Sequence, residues 1–234
     1  MDPKNNNCLH CPHAAYCLPS HSRGLPIAST DFQFPSRILK RGEHLCYQGE
    51  LSQNLYIIRM GILKSSIIKK NGAEYIMGFY FPPDLFGWEG IDQAHRSIAI
   101  TALDRSNICV IPTVKMFLLT QQTPTLGTQL LQMVCRRIHQ DNIALLRTSA
   151  QQRVATFLLQ LAMRYHQMGF PENHCHLPMT HQDIANYLRI TPNTISRIFH
   201  AWEEKKLIKI EKHIVYLLDL INIHSMAEVD SPTI

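Results

Sequence analysis

Between residues 32 and 111 glycine cuts the chain into short β-like runs, and this punctuation limits the possible fold more than any other feature. The runs cover 36–40, 45–47, 55–59, 62–68, 75–81, 97–102 and 108–111. Gly42, Gly49, Gly61, Gly72 and Gly78 fall at or near their ends, where the backbone must reverse. Helices of ordinary length do not fit between such breaks. Many short strands at a spacing of about 8–12 residues predict a sandwich or a small barrel.

The period changes after residue 123. Leu126, Leu130, Val134, Ile138, Asp141 and Leu145 step by three and four, one stripe of a long amphipathic helix over about 124–147. Such a stripe predicts the seam of a parallel, coiled-coil-like dimer. Asp141 falls in it between Ile138 and Leu145. In a symmetric dimer it approaches its own mate and like charges repel, unless it stays solvated at the seam's edge. Ser149-x-x-Gln152 then reads as a capping box opening a further helix that runs to Gly169.

Residues 180–217 read as helix, turn, helix and β-wing. Thr180 with Asp183 starts the first helix, and Leu188-Arg189-Ile190 leads into the turn. Thr191 is the second helix's cap and Pro192 its first residue. In that helix Ile195, Ile198, Phe199 and Trp202 form a face for docking onto the domain. Asn193, Ser196, Arg197 and His200 occupy the other face, as a helix lying in a DNA major groove requires. Arginine suits guanine, asparagine suits adenine and serine suits either. Thr180 and Thr191 join these four as DNA-binding candidates. A solvated polar face is the plain alternative. The capped turn and the wing made by 207–210 and 214–218 favour DNA.

Near the start stands Cys8-x2-Cys11-x5-Cys17. Three thiols within ten residues, with no strand or helix pattern around them, predict chemistry, because so short a segment cannot bury them in a core. Three thiolates leave tetrahedral zinc or a [4Fe–4S] cube one ligand short. His10, His13 and His21 could complete a Cys3His zinc site. Cys46 and Cys135 read as packing residues. Cys175 reads as the inward residue of a short strand with His174 and His176 outward. Cys109 on its strand reads, taken alone, as core.

The chain has 234 residues, a net charge of +5, 45% hydrophobic and 18% charged residues, which suits two modest globular domains. No apolar run approaches membrane-spanning length, and the first residues lack a signal-peptide core. A cytoplasmic protein without a membrane partner is expected. Seven unevenly spaced cysteines in a reducing compartment favour metal chemistry over a disulfide framework.

In their order these features resemble the CRP/FNR transcription regulators over nearly the whole chain, and the oxygen-responsive FNR branch most. The run Gly42-Glu43-x-Leu45-x-x-Gln48-Gly49-Glu50, followed by Leu55-Tyr56-Ile57-Ile58-x-x-Gly61, resembles the family's double-stranded β-helix barrel, shared with cyclic-nucleotide-binding domains. The cysteine spacing is that of FNR, Cys109 in Ile108-Cys109-Val110-Ile111-Pro112 matches its fourth ligand, and Thr194-Ile195-Ser196-Arg197 matches its recognition helix. The resemblance implies an α+β chain: a cysteine-rich cluster-binding segment (1–26), a β-barrel sensor domain (27–122), a dimerisation helix (123–148) and a winged helix-turn-helix domain (149–234). It implies a [4Fe–4S] cluster on Cys8, Cys11, Cys17 and Cys109, and a homodimer kept marginal at Ile138 and Asp141. The implied partners are double-stranded DNA at an FNR-like palindromic site and RNA polymerase. It implies a regulator and no enzyme, and no motif supplies a base with an orienting group.

Departures from the family are specific. Asn193 stands where the family carries glutamate, which leaves open the base pair read there. The loop after Ile68 matches the polymerase-contacting loop only at Gly72, which leaves activator versus repressor open. A cyclic-nucleotide input remains an alternative, since Arg96-Ser97 could hold a phosphate. Against it, Trp88 stands where the ribose-contacting glutamate is expected, and the segment is short by about two residues.

Overall fold

The computed structural model describes Cys17 and residues 34–91, 94–145 and 149–228, with side chains left aside over 136–145. The chain divides into two compact units, Met1–Arg136 and Arg137–Ile234. In the first, strands β1 (Ser36–Leu39), β2 (His44–Cys46), β3 (Asn54–Met60), β4 (Leu63–Ile68), β5 (Glu74–Tyr80), β6 (Leu85–Phe86), β7 (Ala99–Ala102) and β8 (Ser106–Pro112) precede helix α1 (Thr113–Gln122) and the start of α2 (Pro124–Leu145), whose last residues are counted with the second. Among the described residues the strands form two four-stranded sheets, ordered β1-β8-β3-β6 and β2-β7-β4-β5. The sequence predicts a sandwich or a small barrel; the two sheets form, but they are not closed into a continuous barrel. The ladders are antiparallel.

Alternation along β3 explains why this unit holds two cores. Side chains on a strand point to opposite faces with period two. Tyr56 and Ile58 enter one core with Leu39, Leu63, Phe86, Ile100 and Ile108. Leu55 and Ile57 enter another with Phe34, Leu85, Ile111, Met116, Leu119 and Leu126. A strand buried on both faces reads as an unbroken apolar run, as 55–58 does. Gly61 takes φ +88°, and a Cβ there would overlap Ser106.

Helix α1 escapes the sequence reading because apolar residues surround it. Met116 and Leu119 are buried while Val114, Phe117 and Leu118 are exposed, so no stripe is visible. The seam expectation also needs correction. Leu126 is only 1% exposed and belongs to the second core, and Leu130 packs against that core. The unit's own core uses the start of the stripe. Cys135, expected to pack, is exposed.

The second unit holds α3 (Ala150–Gln167), β9 (His174–His176), α4 (His181–Leu188), α5 (Pro192–Glu204), β10 (Ile208–Glu211), β11 (Ile214–Leu217) and α6 (Leu220–Ala227). The Ser149/Gln152 capping box forms as expected, with both reciprocal hydrogen bonds present. The sheet order is β10-β11-β9, so the wing gains a third strand. Helix α6 was not foreseen, although Asp219 caps it by accepting from the Asn222 N–H at 3.0 Å. No helix among the described residues is long and apolar enough to cross a membrane.

Candidate functional site

Local chemistry fixes the helix pair. Thr180 Oγ1 accepts from the Asp183 N–H at 3.1 Å, and Asp183 Oδ2 accepts from the Thr180 N–H at 3.0 Å, which satisfies two donors that open α4. At its other end Arg189 adopts a left-handed conformation, φ 57°, and Arg153 from α3 donates to the Leu188 carbonyl at 3.1 Å. Thr191 Oγ1 accepts from the Thr194 N–H at 3.2 Å, and Pro192 follows at the first helical position. Two caps and one left-handed residue thus set the angle between α4 and α5.

Helix α5 divides as its spacing predicts. Ile195, Ile198, Phe199 and Trp202 are buried, Trp202 at 2% exposure. Asn193, Ser196, Arg197 and His200 are exposed together, with the Thr191 cap at the same end. Thr180 is committed to its cap. His200 Nε2 lies 3.5 Å from Glu204 Oε1, one turn on, and so exposed a pair holds it only loosely. Two contacts of this site went unseen in the sequence, Arg153 on α4 and His181 Nδ1 at 3.1 Å from Ser196 Oγ. Each joins residues on different helices, and neither has a local signal.

The thiols separate into distinct surroundings. Cys17 is 9% exposed and belongs to the second core of the first unit, and Cys109 on β8 packs against that same core. The expectation that the cysteine segment keeps its thiols out of any core therefore fails at Cys17. The core it enters is supplied by the strands and by α1. Cys8, Cys11, His10, His13 and His21 lie outside the described residues. Ile138 and Asp141 lie on the backbone of α2, and their side chains are outside the described residues. Among the described residues no group of three or more His, Cys, Asp or Glu could hold a metal ion. Two soft donors beside one apolar cluster fit half the donor set of a cube. Cys46 lies in the other core, where burial pushes its thiol up to about 11. Cys175 is fully buried between the half-buried His174 and His176, its thiol pushed up to about 12 by burial.

The segment that could hold a phosphate is occupied from within. Gly87 takes φ 99° and opens a short 3-10 turn over Trp88–Gly90. Glu89 points back, its Oε2 accepting from the Gly87 N–H at 3.0 Å and its Oε1 lying 3.4 Å from Arg96 Nη1. Arg96 is 3% exposed and donates to the Asn54 carbonyl at 2.7 Å and to Tyr56 Oη at 3.3 Å. Its guanidinium also lies over the Tyr56 ring, 5.0 Å from the centroid. Burial raises the Glu89 carboxyl above its ordinary range, while its backbone hydrogen bonds and Arg96 oppose that rise.

Known proteins resemble this chain in sequence and in fold. The family described as "Cyclic nucleotide-binding domain" matches residues 36–123, and "Crp-like helix-turn-helix domain" matches 152–222. The transcriptional activator protein Anr of Pseudomonas protegens is 33% identical over 225 residues, spanning 94% of this chain and 92% of that one. The fumarate and nitrate reduction regulatory protein of Escherichia coli is 31% identical over 209 residues, spanning 88% and 84%. In fold the chain is similar to FixK2 from Bradyrhizobium japonicum, with a TM-score of 0.75 and 21% identity over 83% of this chain and 98% of that one. Regulators of this kind bind DNA, act as dimers and are not enzymes. With both domains matched and relatives above 30% identity along most of its length, the chain belongs to the CRP/FNR family of transcription regulators.

Proposed function

We propose that this regulator is an oxygen-sensing transcriptional activator whose dimerisation and promoter binding depend on an oxygen-labile [4Fe–4S] cluster held by Cys8, Cys11, Cys17 and Cys109. The observation that carries the reading is the shared surroundings of Cys17 and Cys109, residues far apart in sequence that border one apolar core. Among the relatives, Anr is a transcriptional activator, which supports activation as the direction of control. Bound there, the cluster supplies the oxygen-reactive group. The chain's part is to hold it with soft thiolates, and the apolar neighbours limit water. RNA polymerase is the further partner, met at the β4–β5 turn around Gly72. Anaerobically purified protein should be brown, contain iron and sulfide, and bleach in air. Stoichiometric zinc without iron would overturn the assignment.

A cyclic-nucleotide input has the domain match behind it and Arg96 against it. Holding a phosphate would take Arg96 from Glu89, Asn54 and Tyr56 and leave the Glu89 carboxyl to find another partner or a proton. Cyclic AMP should give no saturable heat on titration. Glu89→Ala should destabilise the protein toward urea by about 3 kcal/mol, since Arg96 then keeps a buried charge without its partner. Micromolar binding of cyclic AMP, or an unchanged urea midpoint, would show that the pair is dispensable.

On the DNA side, Arg197→Ala should remove the preference for a TGA-containing half-site, because a good bidentate contact contributes about 1–3 kcal/mol of discrimination. Asn193→Glu should move selection toward the usual FNR half-site. Selection of bound duplexes from a randomised pool checks both. The same motif from wild type and Asn193→Glu would mean that Asn193 reads no base.

A further inference from the structure

Helix α4 begins at His181, directly after its Thr180 cap, and this start brings the imidazole beside the recognition helix. His181 Nδ1 lies 3.1 Å from Ser196 Oγ. The ring also meets Phe199 edge-on, with centroids 5.4 Å apart and planes at 80°. Ser196 and Phe199 are three residues apart, neighbours across the boundary between the exposed and buried faces of α5. Phe199 is buried, so the core fixes the ring that holds His181, although His181 and Ser196 are themselves exposed.

A serine hydroxyl carries one proton and two acceptor sites and rotates to suit its partner, which is why serine tolerates several bases. A bond to a ring nitrogen removes that freedom. Where Nδ1 accepts, Oγ offers only lone pairs, which suit the amino groups of adenine or cytosine. Where Nδ1 donates, the hydroxyl proton stays available for thymine O4 or for guanine O6 and N7. Either arrangement biases serine toward one kind of base edge.

We propose that His181 is a specificity-determining residue that touches no base and fixes the hydroxyl of Ser196, so that the two residues together read one base pair of each half-site. This rests on the proposed reading of α5 as the recognition helix with Ser196 facing DNA.

The test compares full-length wild type with Ser196→Ala, His181→Phe, His181→Asn and the Ser196→Ala/His181→Phe double variant, all purified without air. Each is titrated against duplexes varied at one half-site position at a time. Phenylalanine keeps the edge contact with Phe199 and lacks the ring nitrogen, whereas asparagine puts a polar atom near the place of Nδ1. Ser196→Ala should lower discrimination at one position by about five-fold, the scale of a single hydrogen bond. His181→Phe should lower it at the same position by a similar factor, the double variant no further, and His181→Asn should retain most of it. Affinity averaged over all duplexes should stay within about two-fold for His181→Phe, since no phosphate contact is removed. If Ser196→Ala changes no base preference, the reading of Ser196 fails and the proposal with it. If Ser196→Ala changes one and His181→Phe does not, the pairing is overturned while the recognition helix stands. A uniform loss with a shallower salt dependence in His181→Phe also overturns it, because His181 would then be a phosphate contact.

Discussion

Protein carrying Cys109→Ser or Cys17→Ser is expected to leave anaerobic purification colourless and free of iron and sulfide, with Cys8→Ser and Cys11→Ser giving the same result. The effect is close to all-or-none, since a cube held by four thiolates loses a corner when one becomes a hydroxyl. The fold should survive: cysteine and serine differ by one atom, and Cys109 is only partly buried. Cys46→Ser and Cys175→Ser provide the contrast. Burial pushes their thiols up to about 11 and about 12, so giving up the proton to a metal costs more there than at an ordinary thiol. Serine there places a hydroxyl in an apolar core, a loss of about 1–3 kcal/mol if it stays unpaired, yet iron content should not change. Cys135→Ser, on an exposed site, should alter neither. Iron analysis and melting temperature measured on one set of samples separate the two kinds of cysteine. Full iron in Cys109→Ser would end its candidacy as a ligand.

The second large effect is expected at Asp141. If its charge is the brake on dimerisation, Asp141→Ala should dimerise and bind operator DNA in air, without the cluster. Two like charges about 4 Å apart cost on the order of 1–4 kcal/mol at dielectrics between water and a protein surface. Relief of that repulsion strengthens dimerisation by about five- to several-hundred-fold. The commitment of Leu126 and Leu130 to the first unit's core sharpens the argument. It shortens the apolar stripe left for a partner to Val134, Ile138 and Leu145, and a short seam is sensitive to one charge. Sedimentation of air-exposed wild type and variant at equal concentration decides the point. A variant as monomeric as wild type would locate the switch elsewhere in the helix.

The parts legible in the sequence were those with local chemistry. The Thr180/Asp183 and Ser149/Gln152 boxes and the Thr191-Pro192 start form as read, because a cap is decided within four residues. The apolar side of α5 and the inward Cys175 follow from spacing alone. Helix α1 was missed because its apolar residues face both the core and the solvent. Leu126 was misjudged for a related reason, since a stripe shows that a face is covered without showing by what. Cys17 is buried in one cluster with Leu55, Ile111 and Met116, residues no local pattern ties to it. The bond between His181 and Ser196 is likewise tertiary, spanning 15 positions.

Arg96, closed over by Glu89, Asn54 and Tyr56, has a meaning at the level of the cell. On the proposed reading, the regulator must be insulated from the cyclic nucleotides after which its sensor-domain family is named. A cradle filled by the chain's own side chains gives that insulation without a lid or a competing ligand. On that reading a second messenger has to break these contacts before it can compete with the cluster as an input.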